Sequence, residues 1–317
     1  MTAPPTRTPI RIASQIGRPM DDLIRRLSPD LDLDIVEIPR KPVASLPPDI
    51  AILFAWPTRA AGAPDDPKPA GWPFGVRWIQ LLGAGLDPYP SWLFEGPRVT
   101  NASGTLAGPI AEFCMAVMLA AAKRLPETWV SAPGDWRLRN LRTLEGTTLG
   151  IFGYGAIGEE LGRRALAFGM TVRAARRSDA PMPPGITRAK DIGELFETSD
   201  HLVLAAPASA ETRHIVSDAL LERAKPGLHL VNVARGSLVD DDALLRALDG
   251  GRISLASLDV AEPEPLPAGH PYYSHPRVRL SPHTSVMSQD SDLRVARLFA
   301  DNLARFARGE ALRNVVC

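Results

Sequence analysis

In the second half of this 317-residue chain, an arginine, several carboxylates and a histidine stand at the ends of apolar runs. The run "HLVNVA" leads into Arg235, "SLASLDV" into Asp259, Glu262 and Glu264, and "VRLSP" into His283. In an open parallel α/β sheet, ligands bind outside the carboxyl ends of the strands, near the point where strand order reverses, so these side chains would share one rim. A guanidinium can anchor a carboxylate through two parallel hydrogen bonds and polarise a neighbouring carbonyl. A histidine titrating near neutrality can protonate the alkoxide that forms when hydride reaches that carbonyl, and a carboxylate beside it favours its charged form. The set therefore fits hydride transfer to a 2-keto acid. Glu262 and Glu264 are rival partners for the histidine, and spacing does not choose between them. His270 and His275 compete with His283, but "GHPYYSHP" reads as a proline-rich crossover and not a strand end. His201, His214 and His229 read as edge or core residues.

A hydride needs a donor. Directly after the run "TLGIF" comes Gly153-Tyr154-Gly155-Ala156-Ile157-Gly158, followed by the helical pattern "EELGRRALAFG". The first glycine permits a tight turn, the second lets backbone approach a pyrophosphate and the third allows close helix-to-strand packing, with the phosphates on the helix N-terminus. Strand before, helix after and a further strand at Thr171–Ala175 supply the context that makes the motif specific. Ala206-Pro207, at the end of "LVLAA", and Val233-Ala234, before Arg235, are assigned to the same cofactor.

These residues must be positioned by a regular frame. From Thr148 onward β-rich runs alternate with helical or crossover segments ("LGIFG", "TVRAA", "LVLAA", "HLVNVA", "SLASLDV", "VRLSPH"), which predicts six strands of a doubly wound parallel sheet. Residues 10–100 show a smaller α/β rhythm ("IRIAS", "LDIVEI", "DIAILFAW", "VRWIQLLGAG") with a Pro/Gly/Ala-rich loop between Trp56 and Pro73. Between them, "GTLAGPIAEFCMAVMLAAAKRL" predicts a long, mostly buried helix with Ile110, Phe113, Val117 and Ala121 on one face. The final pattern from Ser291 predicts an amphipathic helix that returns to the first lobe.

Bulk properties limit the alternatives. The 36 basic and 36 acidic residues cancel, so no global field argues for nucleic acid or an anionic membrane. The apolar run Phe113–Ala122 is about half the roughly 20 residues of a spanning helix, and the proline-bearing "MTAPPTRTP" reads as a frayed leader and not a signal peptide. The expected compartment is the cytoplasm. Two cysteines, Cys114 and Cys317, make neither a disulfide framework nor a metal site; Cys114 reads as core and no metal is expected.

From "GPIAEF" to "SPHTS" the chain resembles the D-isomer-specific 2-hydroxyacid dehydrogenases, in particular their glyoxylate/hydroxypyruvate reductase branch. The resemblance is carried by "LGAGLD", "LEGTTLGIFGYGAIG", "LAAPASAETRHIV", "VNVARGSLVDDDAL", "SLDVAEPEPLP" and "SPHTS". It implies that Arg235 binds and polarises the keto acid, that His283 is the acid/base and that Glu264 is its partner. It sets Asp259 near the nicotinamide carboxamide, and Ala84 and Gly85 as N–H donors to the substrate carboxylate. Trp56 walls the substrate pocket or is buried as ordinary core. The implied layout is a flavodoxin-like substrate lobe from residues 1–100 and 288–317, with a Rossmann lobe at 101–287 inserted into it, assembled as a homodimer.

The resemblance also bears on the cofactor. In "FGMTVRAARRS", Arg176 occupies the position where NAD-using members carry an aspartate for the ribose hydroxyls. An arginine there pairs with a 2′-phosphate, and Arg177 and Ser178 can add donors, so NADP(H) is expected over NAD(H). The doublet alone carries no signal, being one of three Arg-Arg pairs in the chain. Asp179 competes as a ribose acid but lies beyond the strand end. The implied activity is NADPH-preferring reduction of glyoxylate or hydroxypyruvate to glycolate or D-glycerate. Formate dehydrogenases of the superfamily carry glutamine where Glu264 stands, and the long phosphoglycerate dehydrogenases continue into a regulatory domain. Phosphite dehydrogenase shares the triad, so an NAD-dependent enzyme acting on phosphite or another D-2-hydroxy acid remains an alternative, as does a dinucleotide-sensing corepressor-like protein.

Overall fold

A computed structural model describes residues 9–59 and 63–317. All but the last residue of the expected leader, and positions 60–62 of the expected loop, lie outside the described residues. Chain contacts divide the molecule into two units, one running to Leu106 and resuming at Ser288–Cys317, the other continuous from Ala107 to Met287.

The discontinuous unit contains β1 (Ile10–Ser14), α1 (Arg18–Leu27), β2 (Leu33–Glu37), β3 (Ile52–Ala55), β4 (Trp78–Leu81) and β5 (Arg98–Thr100). The sheet is wholly parallel in the order β2-β1-β3-β4-β5, the flavodoxin-like arrangement. Both faces are covered, which is why β3 ("ILFA") and β4 ("WIQL") are buried throughout and show no alternation.

The continuous unit contains α2 (Ala107–Lys123), β6 (Thr148–Phe152), α3 (Ala156–Ala167), β7 (Thr171–Ala175), β8 (Ile186–Arg188), α4 (Ile192–Thr198) and β9 (His201–Leu204). It goes on through α5 (Asp218–Glu222), β10 (Leu228–Asn232), α6 (Asp241–Asp249), β11 (Ile253–Leu258) and β12 (Val278–Leu280). The helix α7 (Ser291–Arg308) then belongs to the first unit, where it packs on α1. Phe299 of α7 meets Phe54 and Trp78 with ring centroids 4.5 and 5.1 Å away. The end of the chain also runs along β5: Val99 N–H donates to the Cys317 carbonyl and Val316 N–H to the Val99 carbonyl.

The second sheet has the order β12-β11-β10-β9-β6-β7-β8, all parallel. Strand order reverses between β6 and β9, so the loops after these two strands diverge and open a crevice.

Three readings are corrected. The sheet has seven strands and not six, because β8, three residues on the edge beside β7, is too short to show a periodic pattern. The units meet at 106/107, where α2 begins, and not at 100/101. The buried stripe of α2 runs through Ala107, Ile110, Ala111, Cys114, Met115, Met118 and Ala122, leaving Phe113, Val117 and Ala121 half-buried. Small residues let α2 pack closely on α3, and the large Phe113 is turned aside.

Candidate active site

The turn after β6 is built as dinucleotide chemistry requires. Gly153 has φ +102°, and a Cβ on it would lie 2.4 Å from the Ala206 nitrogen, so only glycine lets the β6 and β9 loops approach there. Gly155 is the N-cap of α3 without a side-chain cap. A Cβ built on it would meet nothing within 4 Å, which leaves an open cradle before the helix's free N–H groups. Ala206, Val233 and Ala234 are buried at the neighbouring strand ends, and Pro207 is exposed.

Past the end of β7, Arg176 is half-buried while Arg177, Ser178 and Asp179 are exposed. The Arg176 Nε is a buried donor without a hydrogen-bond partner among the described residues. Its charge is felt by the Tyr154 phenol, which burial and Glu159 push up and Arg176 pulls back. A buried donor left unpaired costs about 1–3 kcal/mol, so this Nε is not satisfied by the described residues alone. The open cradle fits the pyrophosphate of a nicotinamide dinucleotide.

At the far strand ends, His283 Nδ1 lies 2.9 Å from Glu264 Oε2. The other carboxylate oxygen of Glu264 accepts from the Ala261 N–H at 3.0 Å. The rival is accounted for elsewhere, since Glu262 pairs with Arg213 at 3.0 Å. The hydrogen bond to Glu264 raises the His283 pKa against the opposing effect of burial, with the Glu264 charge adding to it. On Glu264 burial pushes upward, but the His283 hydrogen bond, the Ala261 N–H and the charges of His283 and Arg235 bring the carboxyl below its usual range. Both shifts have the sense of an ion pair. With Nδ1 occupied, Nε2 is the ring nitrogen left to face a substrate.

The His283 backbone sits at φ +50°, a left-handed conformation rarely adopted by histidine. Asp259 holds it there. Its carbonyl accepts the His283 N–H at 2.8 Å, and its buried carboxylate accepts from Ser281 Oγ at 2.6 Å and from the Thr284 and Ser285 N–H groups at 2.9 Å each. Sequence reasoning gave Asp259 only a role toward the nicotinamide; the structure adds this grip on both flanks of the histidine.

Arg235 follows β10 and is half-buried. Buried Asn232 closes its turn, donating to the Arg235 carbonyl at 2.8 Å and accepting from the Ala234 N–H at 3.0 Å. This residue was missed, though an asparagine inside the apolar run "HLVNVA" was the available signal. Trp56, just past β3 in the other unit, donates its backbone N–H to Gln15 Oε1, and the Arg40 guanidinium lies 4.1 Å over its ring. The Ala84 carbonyl there accepts from Asn101 Nδ2 at 2.8 Å, and Gly85 follows it in the same turn. His201 and His229 are buried, as core residues should be. Among the described residues no group of three or more His, Cys, Asp or Glu could hold a metal ion, and no helix is long and apolar enough to cross a membrane.

Residues 115–285 match the family model described as D-isomer specific 2-hydroxyacid dehydrogenase, NAD binding domain. The chain belongs to this family. It is an NAD(P)-dependent oxidoreductase on the glyoxylate reductase-like branch. The dehydrogenase is 37% identical over 234 residues to a glyoxylate reductase of Aeropyrum pernix, covering 70% of each chain. It is 34% identical over 252 residues to the D-3-phosphoglycerate dehydrogenase of Methanocaldococcus jannaschii, covering 76% of this chain and 47% of that one. Among solved structures, the TT0316 protein of Thermus thermophilus matches with a TM-score of 0.76 at 28% identity, over 97% of this chain and 100% of that one.

Proposed function

We propose that this dehydrogenase reduces small 2-keto acids, glyoxylate and hydroxypyruvate foremost, with NADPH as the preferred donor. The observation that carries the chemistry is the His283–Glu264 pair at 2.9 Å, on the strand-end rim that also bears Arg235. A nicotinamide cofactor bound at the Gly153–Gly158 turn supplies the hydride. Arg235 engages the keto acid and draws charge from its carbonyl. His283, charged and steadied through Nδ1 by Glu264, gives its Nε2 proton to the carbonyl oxygen as the hydride arrives at carbon, so a 2-hydroxy acid leaves with both. Glu264 then remains as the anion beside a neutral ring that solvent reprotonates. Ala84, Gly85 and Trp56 are assigned to the substrate, and Asp259 to fixing the histidine and meeting the carboxamide. NADPH is favoured by Arg176, whose orphaned Nε a 2′-phosphate would satisfy.

The working form is proposed to be a cytoplasmic homodimer. Support for the dimer comes from Leu125, Trp129, Val130, Trp136, Leu138 and Leu141, large apolar side chains exposed within one short segment of the continuous unit.

A steady-state panel of 2-keto acids, each run with NADPH and NADH, tests the function. Glyoxylate or hydroxypyruvate should oxidise NADPH with the higher kcat/KM, by about tenfold or more for a bidentate charged contact. No turnover on any acid while dinucleotide still binds would overturn the catalytic reading and leave a corepressor-like binding protein.

A further inference from the structure

The edge strand that showed no sequence pattern carries a third arginine next to the doublet. Arg188 is the last residue of β8, and its Cα partner across the ladder is Ala174, two residues before Arg176. Its guanidinium reaches over the end of β7. Nη1 and Nη2 each donate to the Ser178 carbonyl at 3.2 Å, and Nη2 also donates to the Ala180 carbonyl at 2.5 Å. These are backbone acceptors in the segment that begins with Arg176 and Arg177. The segment runs from the end of β7 to the start of β8 as "RRSDAPMPPG" and contains no regular element.

We infer that Arg188 is the positioning residue of the 2′-phosphate subsite: its fork clamps the loop after β7 so that Arg176, Arg177 and Ser178 stand ready for a phosphate. The inference rests on the NADPH reading. One end of the loop is fixed by the ladder, where the Ala175 carbonyl accepts the N–H groups of Gly153 and Tyr154. The other end is fixed by Arg188. A planar guanidinium can serve two carbonyls from one fork, whereas a lysine offers a single point of attachment. Ordering the loop in advance removes a cost that binding would otherwise bear. Arg188 also places a third positive charge beside the doublet, against the single acid Asp179, and raises the local attraction for a dianion.

The test uses two probes that differ only at the 2′ position, adenosine 2′,5′-bisphosphate and 5′-AMP, titrated calorimetrically into the full chain and its Arg188→Met and Arg188→Lys variants. The wild type should bind the bisphosphate at least roughly tenfold more tightly than 5′-AMP. Arg188→Met should lose most of that preference, with 5′-AMP affinity held within about twofold, and Arg188→Lys should fall between, keeping the charge without the fork. A wild type without preference overturns the NADPH reading and this inference with it. A wild type with preference that Arg188→Met retains overturns this inference alone. Equal loss of both ligands in Arg188→Met also overturns it, because the clamp would then shape the whole adenosine site and not the phosphate subsite.

Discussion

In the proposed mechanism, His283 and Glu264 together set when the proton is available. Reduction needs the charged imidazole, and the carboxylate holds the proton on the ring to a higher pH than an ordinary histidine keeps it. The reducing activity should therefore be full at low pH and be lost as pH rises through that raised value. Removing the negative charge with Glu264→Gln should move the falling limb of the kcat profile to more acidic pH and lower the plateau. A limb that stays in place would show that the pair does not govern the proton. The residue types at this site were legible in the sequence, since Arg235, Glu264 and His283 announce themselves at strand ends. Spacing alone left two things open. The choice of Glu264 over Glu262 came from the family resemblance, and in the structure it goes with Arg213 taking Glu262, a contact 49 residues away in sequence. The left-handed backbone at His283 depends on acceptors contributed by Asp259, 24 positions earlier.

At the level of elements, the Arg235 turn and the Glu264 loop are pressed together. A Cβ on Gly236 would lie 2.1 Å from the Ala261 carbonyl carbon and 2.5 Å from the Glu262 nitrogen, so even alanine must drive the two segments apart. Gly236→Ala should lower kcat/KM by up to about 100-fold, the scale expected for a misplacement of roughly 1 Å at reacting groups. Dinucleotide affinity, measured by fluorescence titration, should fall less than kcat/KM because the Gly153 turn is not involved. Wild-type kcat/KM in this variant would mean that the two loops are not set by their contact. Periodic and glycine-punctuated elements could be read from sequence because burial on both faces imposes long apolar runs. β5 and β8 escaped because three residues on a sheet edge carry too little pattern. Arg188 was therefore never seen as a neighbour of Arg176.

For the whole molecule, the 36 basic and 36 acidic residues balance near neutrality, and two buried histidines add a specific response to acid. His201 and His229 are neighbours across β9 and β10 in the second sheet, Nδ1 to Nδ1 at 3.1 Å, with His229 Nε2 2.9 Å from Ser257 Oγ. Burial pushes His201 down to about 4 and His229 down to about 3. An unfolded histidine takes its proton near pH 6.5, so the unfolded chain binds protons that the fold refuses. Stability from this pair is full above that value and is lost as pH falls toward 4 and 3. Thermal unfolding should show Tm dropping through this window, and His229→Asn should make the drop shallower; an unchanged acid slope would exclude the pair as its cause.

The antiparallel run of the chain end along β5 has a consequence for synthesis. Asn314 bonds to Ser103 across 211 residues, and α7 seals the face that Phe54 and Trp78 expose until then. The continuous unit, Ala107–Met287, is one unbroken stretch that is complete once Met287 has emerged from the ribosome. The first unit begins earlier and must finish later, waiting through the translation of the whole second unit with an open apolar sheet. At about 5–20 residues per second, that wait is roughly 10–40 s, the interval in which a nascent chain depends most on chaperones.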